Sequence, residues 1–279
     1  MSALYYCCRV RAGDLVKECR ALRPRFAPED TDDDHRGKAF IKRYARTAVS
    51  RSPVDRLELR LALIGPRGIM YTLTFDDEHL PKNFIGVRKA LRAFLGRVRR
   101  WRESMGKPGA MDYIYCIEGL HGKRRYHIHF ICSADELSPA EVVPSESGDW
   151  PGLWRAGIVD MDWVLFPGRS LNRRPSADAP PDAGAYRRLA KYLNKERTDG
   201  YVIPVGRHPW SASKTLTAKL PAPERWRDES NVIEVPANAV WVRRSSAVND
   251  FGSFYYASWI EPRTRATDYD RAQARASIL

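Results

Sequence analysis

Residues 112–133 read DYIYCIEGLHGKRRYHIHFICS, and the alternation within them decides the fold. Residues 112–118 and 125–133 are rich in β-branched and aromatic side chains, and a short glycine-containing stretch separates them. That is the pattern of two strands and their connection. Alternate residues of a strand share a face. His127 and His129 therefore point one way, and Tyr126, Ile128, Phe130 and Cys132 point the other, into a core. A turn on Gly122-Lys123, glycine first as a type II′ turn prefers, makes residue numbers across the hairpin sum to 245. Glu118 then stands opposite His127, and Cys116 opposite His129, with Cβ atoms about 5 Å apart. A slip of one residue would send Glu118 to the other face. Two imidazoles and a carboxylate on one rigid surface can hold a divalent cation with positions left open, and Mg²⁺ or Mn²⁺ suits such a set. His121, in the turn, is a competing ligand.

Outward from the hairpin, residues 69–75 (IMYTLTF) predict a buried strand after a turn at Gly65–Gly68. Residues 157–165 predict another. Between them, Phe84, Val87, Leu91, Phe94, Leu95, Val98 and Trp101 recur at helical spacing and predict a helix over 84–104. Its other face carries Arg88, Lys89, Arg92, Arg97, Arg99, Arg100 and Arg102. So one-signed a stripe suits water or a phosphate backbone. Residues 134–150 read as loop, with a short helix near 139–142. Residues 167–184 hold four prolines and read as a linker or lid.

A helix follows from about Ala183 to Arg197, with Asp182 as N-cap and Gly200 as terminator. Tyr192 and Lys195 are three apart and share a face, with Arg188 one turn earlier and Lys191 adjacent. A phenol ordinarily holds its proton to about pH 10. It becomes a nucleophile when cations stabilise the phenolate. Tyr186 lies six residues before Tyr192, roughly 600° of helical rotation, and points elsewhere.

Residues 38–51 also have helical spacing. Ser52-Pro53 is a stop, or a new start with Ser52 as cap. Residues 54–65 alternate like a strand but have helix composition. A hairpin is expected from 239–244 with 253–260. Residues 1–37 read as a separate entry segment, basic over 1–28, with an acidic cluster from Glu29 to Asp34 that suits a solvated loop.

The chain has 279 residues, 43% hydrophobic and 29% charged, a globular composition. Its formal net charge of +13 favours a polyanionic partner, nucleic acid rather than a membrane surface. No apolar run approaches the ~20 residues of a membrane helix, and the N-terminus lacks a secretory pattern. A cytoplasmic location is expected, with no membrane partner. Five cysteines without a CxxC pair suit a reducing compartment. Cys7, Cys8, Cys19 and His35 match no standard zinc spacing.

Three motifs occur in one order: Tyr71-Thr72-Leu73-Thr74-Phe75, Glu118 with His127-Ile128-His129, and Lys191-Tyr192-Leu193-Asn194-Lys195. In this the chain resembles rolling-circle replication initiators of the HUH endonuclease superfamily. It is most similar to the plasmid and phage replication-associated proteins grouped with the filamentous-phage gene II product. Residues 154–160 and 210–216 add to the likeness, which spans about 65–222. The resemblance implies an α+β fold, an antiparallel sheet with helices mainly on one face. It also implies three parts: a basic N-terminal extension (1–64), the catalytic domain (65–222) and a C-terminal extension (223–279).

The implied activity is metal-dependent nicking and joining of single-stranded or cruciform origin DNA. Tyr192 would attack the scissile phosphate and keep the 5′-phosphate, releasing a 3′-OH primer. His127, His129 and Glu118 would bind Mg²⁺ or Mn²⁺, and Lys195 would position the phosphate or stabilise the phenolate. Arg188, Lys191, Arg88, Arg92 and Arg99 would contact DNA, and host helicase and polymerase would be partners. Relatives with two tyrosines place them one turn apart, so the expectation here is a single nucleophile. A relaxase, a transposase or a silent origin-binding protein are the alternatives. Trp150, Trp154, Trp163 and Trp210 are candidates for base stacking.

Overall fold

The computed structural model describes residues 4–22, 49–50, 52–65, 67–119, 125–137, 139–143, 152–165, 185–195, 210–249 and 252–261. In chain order the elements are β1 (Tyr5–Ala12), β2 (Leu15–Leu22), α1 (Pro53–Ile64), β3 (Arg67–Thr74), α2 (Phe84–Ser104), β4 (Tyr113–Glu118), β5 (His127–Ser133), α3 (Pro139–Val142), β6 (Val159–Leu165), α4 (Ala185–Leu193), β7 (Trp210–Ala212), α5 (Lys214–Ala218), β8 (Glu224–Asp228), β9 (Val240–Asn249) and β10 (Gly252–Ile260). Contacts divide the chain into two units, Ser50–Pro221 and Met1–Val49 with Ala222–Leu279. Each is built on an antiparallel five-stranded sheet, and the class is α+β, as the sequence predicts. Among the described residues, no helix is long and apolar enough to cross a membrane.

The unit of the two chain ends has strand order β8-β1-β2-β10-β9. The β9–β10 hairpin is the expected one, lengthened on both strands. The β1–β2 hairpin corrects a reading of residues 1–37 that had no strands. It turns on Gly13-Asp14, with Gly13 at φ 57°, a conformation glycine adopts without cost. Cys8 stands opposite Cys19, while Cys7 alternates to the other face, so the three thiols do not converge. All five cysteines are free. His35 lies outside the described residues, as do the 167–184 stretch, the Gly122-Lys123 turn and the expected 38–51 helix except for residues 49–50, which form a turn.

In the Ser50–Pro221 unit the sheet order is β6-β3-β5-β4-β7. One face is closed by α2, which spans the predicted residues and is capped by the Asn83 side chain accepting from the Gly86 amide. Val87, Leu91, Phe94 and Val98 pack there against Leu73, Phe75, Ile128 and Phe130. Trp154 joins this core instead of offering a stacking surface. It is fully buried, 5.1 Å from Phe75 and 5.9 Å from Phe94 between ring centroids, and its Nε1–H donates to Thr74 O at 3.2 Å. Beside it, Gly157 adopts φ 142°, and a Cβ there would lie 2.3 Å from Thr74 O. Only glycine lets β6 enter the sheet so close to β3.

The ambiguous stretch 54–64 is helix. Ser52 accepts from the Asp55 amide, Asp55 returns a bond to the Ser52 amide, and Pro53 occupies the first turn. This capping box, with proline at the start, overrides the local alternation.

Candidate metal and tyrosine site

β4 and β5 pair antiparallel with Glu118 opposite His127 and Cys116 opposite His129. These are the pairs given by the turn arithmetic. Gly119 helps to hold this register. Its φ is +90°, and a Cβ there would lie 2.7 Å from Arg125 O, so the chain leaving Glu118 passes the incoming strand only as glycine. By alternation these groups occupy the sheet face opposite α2.

The three side chains meet. His127 Nε2 lies 3.2 Å from Glu118 Oε2, and His129 Nε2 lies 3.3 Å from Glu118 Oε1. All ligand atoms fall within 4.8 Å of one another. The imidazoles are aimed by their other nitrogens. His127 Nδ1 is 3.1 Å from the Arg125 carbonyl, to which Nδ1–H donates, and without a metal Nε2–H faces the Glu118 carboxylate, so a cation would displace that proton. His129 Nδ1 is 3.2 Å from Thr72 Oγ1 on β3.

A divalent cation fits this set. Glu118 Oε1 and His129 Nε2 are buried and, although 3.3 Å apart, make no hydrogen bond of good geometry with each other or with another group. Leaving such groups unsatisfied costs about 1–3 kcal/mol each. A cation between them would satisfy both. Ligands about 2.1 Å from an octahedral ion sit about 3 Å apart on one of its faces, close to the 3.2 and 3.3 Å between each imidazole and Glu118.

Lys195 completes the cluster, with Nζ 2.8 Å from Glu118 Oε2 and 3.9 Å from the centre of the Tyr192 ring. The Tyr192 ring itself lies 5.6 Å from that of His129. Burial works against the charged form of Glu118. Its neighbours His127, His129 and Lys195 overcome that and hold it well below the usual carboxylate range. The hydrogen bond to Glu118 raises His127 above its ordinary value against the opposing effect of burial, with help from the Arg125 carbonyl. For Lys195, burial opposes the charge, and Glu118 and then Tyr192 raise it.

The helix bearing the tyrosine is placed by its apolar stripe. Tyr186, Ala190 and Leu193 are buried at positions i, i+4 and i+7. Tyr186 is 1% exposed and Tyr192 42% exposed, so only the second is open to a substrate. Cys116 Sγ donates to Leu193 O at 3.2 Å and ties the end of α4 to β4. At the other end, Arg187 Nη1 reaches Asp55 Oδ1 at 2.7 Å and Glu58 Oε2 at 3.0 Å on α1. The sequence reading placed Cys116 opposite His129 but missed its bond to Leu193, and it missed this clamp. The available signal was Asp55 and Glu58, three apart on one helix face.

Other predicted residues lie apart from the cluster. Arg188 and Lys191 are exposed on α4 beside Tyr192. Arg88, Arg92 and Arg99 are exposed on α2, which covers the opposite sheet face. Arg99 pairs with Glu103 at 2.9 Å. Trp210 on β7 is half-buried and stands opposite Cys116, with the Arg60 guanidinium 5.4 Å from its ring. His121, Trp150 and the Trp163 side chain lie outside the described parts.

Residues 68–197 match the family model for replication-associated proteins of the ORF2 and gene II protein type. The match covers just under half of the chain and includes Glu118, His127, His129, Tyr192 and Lys195. It supports a replication initiator of the Rep type, acting on DNA. No curated protein and no solved structure matches the chain.

Proposed function

We propose that this chain starts rolling-circle replication by cutting one DNA strand through Tyr192 and later rejoining it. The observation that carries the reading is the placement of the exposed Tyr192 phenol. Its ring lies 5.6 Å from His129, and the Lys195 ammonium lies over it at 3.9 Å.

His127, His129 and Glu118 would hold Mg²⁺ or Mn²⁺. Bound there, the cation would polarise a phosphate oxygen in one of its open positions. Lys195 holds a positive charge beside the phenol and stabilises phenolate character as the proton leaves to water. Arg188 and Lys191, exposed on the same helix, bind the flanking phosphates of a single strand.

In the cut, a bond forms between Tyr192 Oη and phosphorus, and the bond from phosphorus to the 3′ oxygen breaks. The 3′ oxygen takes up a proton and becomes the primer end. One phosphodiester replaces another, so the step runs backwards without an energy source and allows rejoining.

A covalent-adduct assay tests this. The protein is mixed with single-stranded oligonucleotides from its own replicon and Mn²⁺, with and without EDTA, and run on denaturing gels. An EDTA-sensitive adduct on the peptide bearing Tyr192 is expected. An adduct on Tyr186 would overturn the site assignment. Binding without any adduct would overturn the nicking reading.

A further inference from the structure

The opposite side of the same unit carries a second cluster of charge. A cavity of about 440 Å³ is lined by Arg97, Arg100, Trp101 and Ser104 of α2 and by Leu153 and Arg155. Three arginines thus border one space. Arg97 is fixed by Nε donating to Leu153 O at 2.7 Å, and Arg155 by Nε donating to Gly152 O at 3.2 Å. Both bonds use Nε, and neither occupies the terminal nitrogens. Among the described residues, no carboxylate pairs with any of the three. Elsewhere on the helix, Arg99 and Arg102 have acidic partners, Glu103 and Glu136.

Such an arrangement is unfavourable by itself. Burial, and then the charges of Arg155 and Arg100, push the Arg97 guanidinium below its ordinary value. An anion would relieve the repulsion, and planar donors match the oxygens of a phosphate. Among the described residues, the one aromatic side chain lining the cavity offers a nucleotide base little surface. Trp101 is 7% exposed, and the Lys107 ammonium lies 5.5 Å from its ring centre. This favours a phosphate presented without its base, as along a DNA backbone.

We propose that the cavity between α2 and residues 152–155 binds a backbone phosphate of DNA through Arg97, Arg100 and Arg155, on the sheet face away from Tyr192. The source of the phosphate rests on the nicking reading, whereas the anion site does not. A strand held at both places would contact two faces of one unit.

The test uses the full chain and the pair Arg100→Gln with Arg155→Gln. Arg97 is left intact because it holds Leu153. Lys82→Gln with Lys214→Gln removes the same charge outside the cavity and outside the basic stripe of α2. Random-sequence single strands and duplexes are titrated across a salt series. One lost phosphate contact should flatten the slope of log affinity against log salt by about 0.7–0.9, or weaken binding roughly five- to eightfold at 0.1 M salt. The lysine pair should keep the original slope. Equal slopes for the arginine pair and the original protein would overturn the proposal. Equal flattening in the lysine pair would do so too, by showing diffuse charge only.

Inorganic phosphate and pyrophosphate are titrated in parallel by thermal shift. Stabilisation of the original protein but not of the arginine pair, with an unchanged DNA slope, would assign the cavity to a free anion and overturn the DNA source. Adduct formation by the unsubstituted protein reports the nicking reading separately.

Discussion

Replacing Arg187 by Met should weaken both the fold and the chemistry. The guanidinium is 17% exposed and bridges Asp55 and Glu58, which are 14% and 5% exposed. Methionine has a similar length and keeps the packing, so the loss is mainly electrostatic. Removing one member of a buried ion group costs about 3–5 kcal/mol, because the remaining charge stays desolvated. Two carboxylates lose their guanidinium here, but Asp55 is only partly buried and keeps its bonds to Ser52, which argues for the lower end, about 3 kcal/mol. Urea unfolding would read this as a lower midpoint with the same slope.

The same clamp holds α4, so the position of Tyr192 should loosen as well. Single-turnover cleavage at saturating DNA should fall by more than tenfold, with a smaller change in DNA affinity. Adding Glu58→Gln should recover part of the stability, because one stranded charge is removed. A midpoint shift worth less than about 1 kcal/mol would refute the argument, since that is the range of exposed pairs. So would a double variant no better than the single one.

Three further outcomes are expected. Tyr192→Phe should abolish covalent cleavage while DNA affinity stays nearly unchanged, and a parallel loss of binding would remove the nucleophile role. His129→Ala should lose metal-dependent cleavage with poor rescue by excess Mn²⁺; retained activity would take His129 out of the ligand set. In the metal-free protein, the raised His127 value means its contribution is full below about pH 6.5 and fades as pH rises through the folded-state value. The depressed Glu118 value has the opposite sign, so its contribution is present above about pH 4.3 and is lost as pH falls towards the folded-state value. Urea midpoints across pH, taken in EDTA, should therefore lose stability on both sides. Adding Mn²⁺ near pH 6 should release protons measurable by pH-stat.

The site was legible where geometry is local. Strand alternation put His127 and His129 on one face, and a two-residue turn put Glu118 across from His127. Both facts follow from a period of two. The long helix α2 was equally plain, because seven apolar residues repeat over its length. The stretch 54–64 was not plain, because alternating leucines satisfy both periods, and the capping box settles it. The β1–β2 hairpin was hidden by charged residues such as Lys17 and Glu18. Both are fully buried, and Glu18 is paired with Arg9 and Arg20. Its turn, Gly13-Asp14, was the signal to follow. The Arg187 clamp and the arginine cavity join segments far apart in sequence, and no spacing rule reaches them.

Strand β2 lies between β1 and β10, so its neighbours come from opposite ends of the chain. On the ribosome, β1 and β2 emerge early, but Gly252–Ile260 follows only after most of the chain has been made. At about 5–20 residues per second, β2 waits roughly 10–45 s with one backbone edge unsatisfied. The Ser50–Pro221 segment is complete well before that edge closes. During translation the initiator-like unit is therefore a finished insert inside an unfinished host. A nascent chain stalled before residue 252 would display β2 as an open edge, ready to pair with another chain.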